Sequence, residues 1–275
     1  MGLDLVFEGD VALLEFDHGK ANEMGRAQLE AFSSLGKTLE EKGIRALISY
    51  SRRTSRKGTP IFIAGANVTE RQGWSDEMVA AHVRYQRAVL ASVRALPIFH
   101  VTVVHGVALG WGTEFLLTAD YRITTPTAKY GLPETGLGIL PGAGGTAELW
   151  SLIGLPQAMR LGMTGERIDA KEALRIGLVQ EEAADVDTGL VRARALAAMV
   201  AKKSPTAIAA FKSAALGAVG QPPEIRRELE AKAYEHCLHN GEAAIGRAHF
   251  KEIITGGSAP WGPLVPFDAQ QDEES

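Results

Sequence analysis

Over its first half the chain alternates short strand-like runs with stretches of helical period, and from about residue 186 helix follows helix. That pattern predicts crossover units in an α/β architecture, followed by an all-helical region. Strand-length runs stand at 4–8 and 11–16, joined by the Gly9-Asp10 turn, and again at 45–50, 61–64, 98–104 and 121–125. Residues 26–41 read as a helix with Leu29, Phe32, Leu35 and Leu39 on one face, and 76–94 and 115–119 read as further helices. Helices are expected at 187–203, 205–218, 223–239 and 241–254, punctuated by Ser204-Pro205 and Gln221-Pro222-Pro223. The last segment, 256–275, holds Pro260, Pro263 and Pro266 and is expected to be an extended, partly disordered tail. The organisation read from this is a core over 1–186, a helical region over 187–255 and the tail.

The chain has 275 residues, 45% of them hydrophobic and 23% charged, with a net charge of −4. Such a chain can bury a sizeable core, and its mild acidity provides no general affinity for nucleic acid. A single cysteine, Cys237, rules out an internal disulfide framework. The N-terminal residues show no basic segment followed by a long apolar run, and no stretch reaches the roughly 20 apolar residues that span a bilayer. A cytoplasmic protein without a membrane partner is expected.

Several of the 30 glycines cluster at turns, but not as a nucleotide fingerprint. After Gly136-Leu137-Gly138 the third glycine position is Pro141, and after Gly110-Trp111-Gly112 it is Phe115. No Gly-Lys-Ser/Thr sequence ends a phosphate loop either. Gly110 to Thr113 instead follows a strand and opens a helix, and Gly65-Ala66-Asn67 follows the strand at 61–64. N–H groups at such turns lack partners and attract negative charge. Two of them converging on one oxygen make an oxyanion hole, while two unrelated tight turns would look the same in sequence.

Glu114 sits just beyond the glycines, and Glu134 lies twenty residues later in Tyr-Gly-Leu-Pro-Glu-Thr-Gly. A helix dipole alone accounts for an acid like Glu114, and solvation alone for a loop acid like Glu134. The residues after Glu114 are apolar, however, and a carboxylate at the head of a buried helix needs a partner or a task. Paired carboxyls suit water addition to a double bond, where one proton is taken from water and another is delivered to carbon.

These segments together resemble the enoyl-CoA hydratase/isomerase, or crotonase, superfamily over residues 3 to 254. Phe62 to Val68 resembles the first oxyanion segment, and Gly106 to Glu114 the second. Leu132-Pro133-Glu134 with Gly138 to Thr146 resembles the second-carboxylate loop, and Met163 to Ala170 with Ala173 to Val179 the segment that closes the core. The resemblance implies a spiral of ββα units with a C-terminal helical region that forms trimers, two of which can stack into a hexamer. It assigns the backbone N–H groups of Ala66 and Trp111 to an oxyanion hole for the thioester carbonyl of an acyl-CoA. Glu114 and Glu134 then match the two hydratase acids. Ala64, Gly65, Asn67, Gly110, Lys20 and Trp74 match substrate- or CoA-binding positions, and Phe250 and Lys251 match a position that can touch a neighbouring subunit's CoA. No metal and no separate cofactor is implied, since coenzyme A is part of the substrate.

The chain departs from the family pattern at three places. Trp111 stands where a small residue is usual, so strained dihedrals and a narrowed acyl pocket are expected. Asn67 replaces an aspartate, and His18 to Met24 is a variant of a P-x-x-x-N segment. His236, Cys237 and His239 share one helix without complementary ligands and read as ordinary helix residues. Arg52, Arg53, Arg56 and Lys57 read as a solvated basic loop. The expected activity is hydration of a 2-enoyl-CoA; the alternatives are an enoyl-CoA isomerase and a non-catalytic acyl-CoA-binding subunit.

Overall fold

The computed structural model describes residues 4–269. The chain divides into two units, Met1–Arg94 with His100–Arg194, and Ala95–Phe99 with Ala195–Ser275. No helix among the described residues is long and apolar enough to cross a membrane.

The first unit carries two sheets. Among the described residues its strands are β1 (Asp4–Glu8), β2 (Val11–Glu15), β3 (Ala46–Tyr50), β4 (Ile61–Ile63), β5 (Phe99–Val104), β6 (Val107–Leu109), β7 (Tyr121–Thr124), β8 (Lys129–Gly131), β9 (Ile168–Asp169) and β10 (Glu181–Glu182). One sheet has the order β1-β2-β3-β5-β7-β10 and the other β4-β6-β8-β9. β1 and β2 form the antiparallel hairpin expected at Gly9-Asp10, while β2–β3, β5–β7 and β7–β10 run parallel. β3 and β5 are buried almost throughout, as strands covered on both faces must be.

The helices of this unit are α1 (Arg26–Ser33), α2 (Leu35–Glu41), α3 (Asp76–Arg94), α4 (Trp111–Phe115), α5 (Gly145–Ile153), α6 (Leu155–Thr164), α7 (Ala170–Arg175) and the start of α8 (Val186–Ala201). The helix expected at 26–41 is two helices meeting at Ser34, whose side chain donates to the Ala31 carbonyl at 2.9 Å. Such back-bonding by serine competes with the regular ladder. The helix expected at 115–119 begins earlier, at Trp111, and gives way to a 3₁₀ turn at Leu116–Thr118. The rings of Phe16, Phe32, Phe62, Trp111 and Phe115 meet at 5.1–6.2 Å between centroids and fill the core beneath α4.

The second unit holds α9 (Pro205–Gly217), α10 (Pro223–His239), α11 (Glu242–Ala248) and α12 (Phe250–Ile254). α9 and α10 pack through Ala210, Ala214, Leu229 and Ala233, with Phe267 and Ala269 against them. The proline-rich segment after α12 is pinned there: Trp261 Nε1 donates to the Lys202 carbonyl at 2.9 Å, and Val265 N–H to Thr206 Oγ1 at 3.0 Å. The tail's last residues, 270–275, lie outside the described residues.

Candidate active site

Parallel pairing brings the candidate residues together. β4 pairs with β6 (Ile61 with Val107, Ile63 with Ala108), and β6 with β8 (Val107 with Lys129, Leu109 with Gly131). All three strands therefore end at one edge, where Ala64-Gly65-Ala66, Gly110-Trp111 and Leu132-Pro133-Glu134 leave side by side. Ligands of open α/β sheets bind at such carboxyl edges.

Two glycines allow these exits. Gly65 has φ +130° and Gly110 φ +52°, conformations that side chains rarely adopt. The first turn is clamped from the chain before α1: Ala64 N–H donates to Ala21, Met24 N–H to Gly65 and Asn67 N–H to Met24. Asn22 anchors that clamp; buried and itself at φ +52°, it donates through Nδ2 to the Phe16 and Phe62 carbonyls and to Ser51 Oγ. Around the clamp, the Ala66 N–H donates to no group among the described residues, and neither does Trp111 N–H at the head of α4. The Ala66 and Trp111 N–H groups thus stand as unpaired donors at one sheet edge.

Thr113 fastens α4 to that edge. Its hydroxyl reaches the Ala108 and Gly131 carbonyls at 2.8 and 3.0 Å, and the Gly131 N–H lies 3.2 Å from it. Gly112 packs so closely on Ile63 that a methyl group there would lie 2.1 Å from the Ile63 carbonyl oxygen. One residue on, Glu114 is 3% exposed, and its Oε1 accepts the N–H groups of Ala143 and Gly145 at 2.7 and 2.9 Å. Burial pushes its carboxyl from 4.5 up to about 7, against the pull of the two N–H donors, and the Glu134 charge adds to the rise.

Glu134 stands half-buried on a single 3₁₀ turn, Pro133–Leu137. Burial raises its carboxyl too, and Oε2 is buried without a hydrogen-bond partner among the described residues. Two carboxyls with elevated proton affinity, close enough for the Glu134 charge to act on Glu114, therefore stand at the sheet edge that carries the two unpaired N–H donors. That arrangement can move protons to and from a substrate whose carbonyl the donors hold.

Trp111 departs from expectation. Its dihedrals are helical, because the positive φ falls on Gly110, and its indole is 2% exposed, stacked on Phe115 at 5.8 Å and tilted against Phe32 at 6.0 Å. It packs into the aromatic core with Nε1 buried and without a hydrogen-bond partner among the described residues, so the strain expected of it is corrected. Lys20 is exposed in the turn before Asn22, and Asn67 accepts Thr69 Oγ1 at 2.6 Å. Trp74 packs edge-on against His82 at 5.3 Å. Phe250 and Lys251 are exposed on α12 of the second unit. The residues missed by sequence reasoning are those that hold the site rather than react: Thr113, Asn22 and the N–H donors of Ala143 and Gly145. The P-x-x-x-N-like segment, the second oxyanion segment and the glycine-rich stretch 142–145 carried these residues in sequence, but gave no sign of what they hold.

A family model described as Enoyl-CoA hydratase/isomerase matches residues 10–256. A Bacillus subtilis protein described as a probable enoyl-CoA hydratase is 32% identical over 254 residues, covering 91% of this chain and 95% of that one. The structure of an enoyl-CoA hydratase from Bacillus anthracis superposes with a TM-score of 0.83 at 30% identity, over 98% of this chain and 99% of the other. Pseudomonas aeruginosa DspI superposes with a TM-score of 0.84 at 29% identity, over 94% and 96%. The fold is thus the crotonase fold expected from the motifs, and the chain belongs to the enoyl-CoA hydratase/isomerase family.

Proposed function

We propose that the chain is an enoyl-CoA hydratase, a lyase that adds water across the 2,3 double bond of an acyl-CoA thioester. The observation that carries this reading is the electrostatically coupled pair Glu114 and Glu134 at the sheet edge that carries the unpaired N–H groups of Ala66 and Trp111. The thioester carbonyl accepts those two N–H groups, which favours electron flow from the double bond to oxygen. Two interacting carboxyls titrate as a unit, and mutual repulsion favours a state with one proton between them. The ionised member takes a proton from water as the hydroxyl oxygen bonds to Cβ. The protonated member delivers its proton to Cα, and the enolate collapses to the 3-hydroxyacyl thioester. An isomerase needs only one such carboxyl, so the presence of both favours hydration.

Crotonyl-CoA tests the reading through loss of the conjugated enoyl-thioester absorbance. Glu114→Gln and Glu134→Gln should each lower kcat by about a hundredfold or more with little change in KM. Near-wild-type turnover in either variant removes that residue from the mechanism. Migration of a 3,4 double bond into conjugation, without hydration, would favour the isomerase.

The same reading includes assembly into a homotrimer or homohexamer and a cytoplasmic location. Support for assembly comes from α9 and α10, where Phe211 is 75% and Tyr234 69% exposed.

A further inference from the structure

Beyond Ala66, the segment that leads from the first oxyanion turn into α3 carries charge. The chain passes from the first oxyanion turn into a 3₁₀ turn, Val68–Arg71, and then into α3. Arg71 is half-buried, and its Nε is buried without a hydrogen-bond partner among the described residues. One terminal nitrogen reaches Gln86 Oε1, at a long 3.4 Å. Glu70 acts on Arg71 through its charge but gives it no hydrogen bond, since its carboxylate accepts the Arg26 N–H at 3.1 and 3.2 Å at the head of α1. Its Oε1 lies 3.8 Å from His82 Nε2, too far for a hydrogen bond. His82 is 8% exposed, and Nε2 is likewise buried without a hydrogen bond. Burial first, and the Arg71 charge second, hold His82 below the ordinary histidine range.

α3 connects this cluster to the carboxyls. His82 and Gln86 stand one helical turn apart, flanked by Val83 and Arg87. A methyl group on Gly142 would lie 2.9 Å from Val83 Cγ1, and Arg87 Nε donates to the Gly142 carbonyl at 3.0 Å. The next residue, Ala143, holds Glu114. Contacts therefore connect the segment after the Ala66 turn, through Arg71, Gln86 and α3, to the loop that fixes Glu114.

A guanidinium drawn from water, with one long amide contact and the through-space charge of Glu70, still lacks an anion that accepts its N–H groups. We infer that Arg71, with Gln86 and His82, recognises a carboxylate on the acyl group, so that the preferred substrates are ω-carboxy-2-enoyl-CoA thioesters. This inference rests on the acyl-CoA reading above. The geometry of a planar guanidinium suits a carboxylate in particular, because two parallel N–H groups match its two oxygens.

Saturated thioesters test it without any hydration step. Calorimetry should compare succinyl-, adipoyl- and suberoyl-CoA with butyryl-, hexanoyl- and octanoyl-CoA on the wild-type protein, on Arg71→Met and on Arg71→Lys, with thermal melts run on each. At least one carboxylated thioester should bind the wild type about tenfold more tightly than its alkyl counterpart, about 1.4 kcal/mol. Arg71→Met should erase that ratio and Arg71→Lys should keep part of it. If Arg71→Met does not fold, Gln86→Leu serves instead, and the ratio should fall several-fold. Equal binding of the two series by the wild type, or an unchanged ratio in the variants, overturns the role of Arg71 and leaves the hydratase reading standing. Failure of every CoA thioester to bind overturns both.

Discussion

Gly110 and Glu134 leave no room between them for a side chain: a methyl group on Gly110 would stand 2.5 Å from Glu134 Oε1. Gly110 also holds φ +52° and ψ −118°, which strains any residue with a Cβ. One position thus sets both the direction in which α4 starts and the seat of the second carboxyl. Gly110→Ala should cost about 1–3 kcal/mol in a melt through backbone strain. It should also lower kcat on crotonyl-CoA at least about tenfold by displacing the carboxyl, about 1.4 kcal/mol. In a Glu134→Gln background the same substitution should cost much less of the remaining rate, since the displaced group is already inactive. Additive losses would show that Gly110 acts elsewhere.

Glu114 makes stability depend on pH. Its folded value, about 7, lies above the ordinary 4.5, so the folded chain holds this proton more tightly than the unfolded chain. The stabilisation is complete below about pH 4.5 and is lost as pH rises through 7. Glu114→Gln does not titrate. Between those limits the wild type should therefore lose on the order of 3 kcal/mol relative to the variant. Urea unfolding of both proteins across that range measures it, and parallel curves would contradict the buried, proton-retaining carboxyl.

Trp111 separates backbone from side chain. Its N–H is the second proposed donor, while its indole packs among Phe32 and Phe115. Trp111→Ala keeps the N–H and should destabilise by about 3–5 kcal/mol through the cavity it leaves. Relative rates across a panel of short, long and branched enoyl-CoAs should not change. A shifted acyl preference at unchanged melting temperature would return the indole to the pocket wall.

Assembly is tested in solution. The apolar exposure of Phe211 and Tyr234 is expected to be covered by other copies of the chain. Sedimentation at micromolar protein should give a trimer or hexamer, and Phe211→Glu should shift it toward monomer. A wild-type monomer under these conditions would reject the assembly.

Much of this was legible in the chain alone. Strand runs with period two and helices with apolar stripes placed β1 to β3, α3 and α10 to within a residue or two, because local sterics and burial set those patterns. The short strands β6, β8, β9 and β10, of two or three residues, had no period to show and exist because neighbouring strands pair with them. Likewise the glycines announced turns, and the motifs announced Glu114 and Glu134, but not their meeting. Parallel pairing of β4, β6 and β8 decided that, since it brings residues 66, 111 and 134 to one edge. The direction of Trp111 was also decided there. Gly110 absorbs the positive φ, which leaves Trp111 free to start a helix and turn its ring into the core. Residue types determined which chemistry was available, and long-range packing, which no local pattern encodes, decided which groups face one another and how tightly each proton is held.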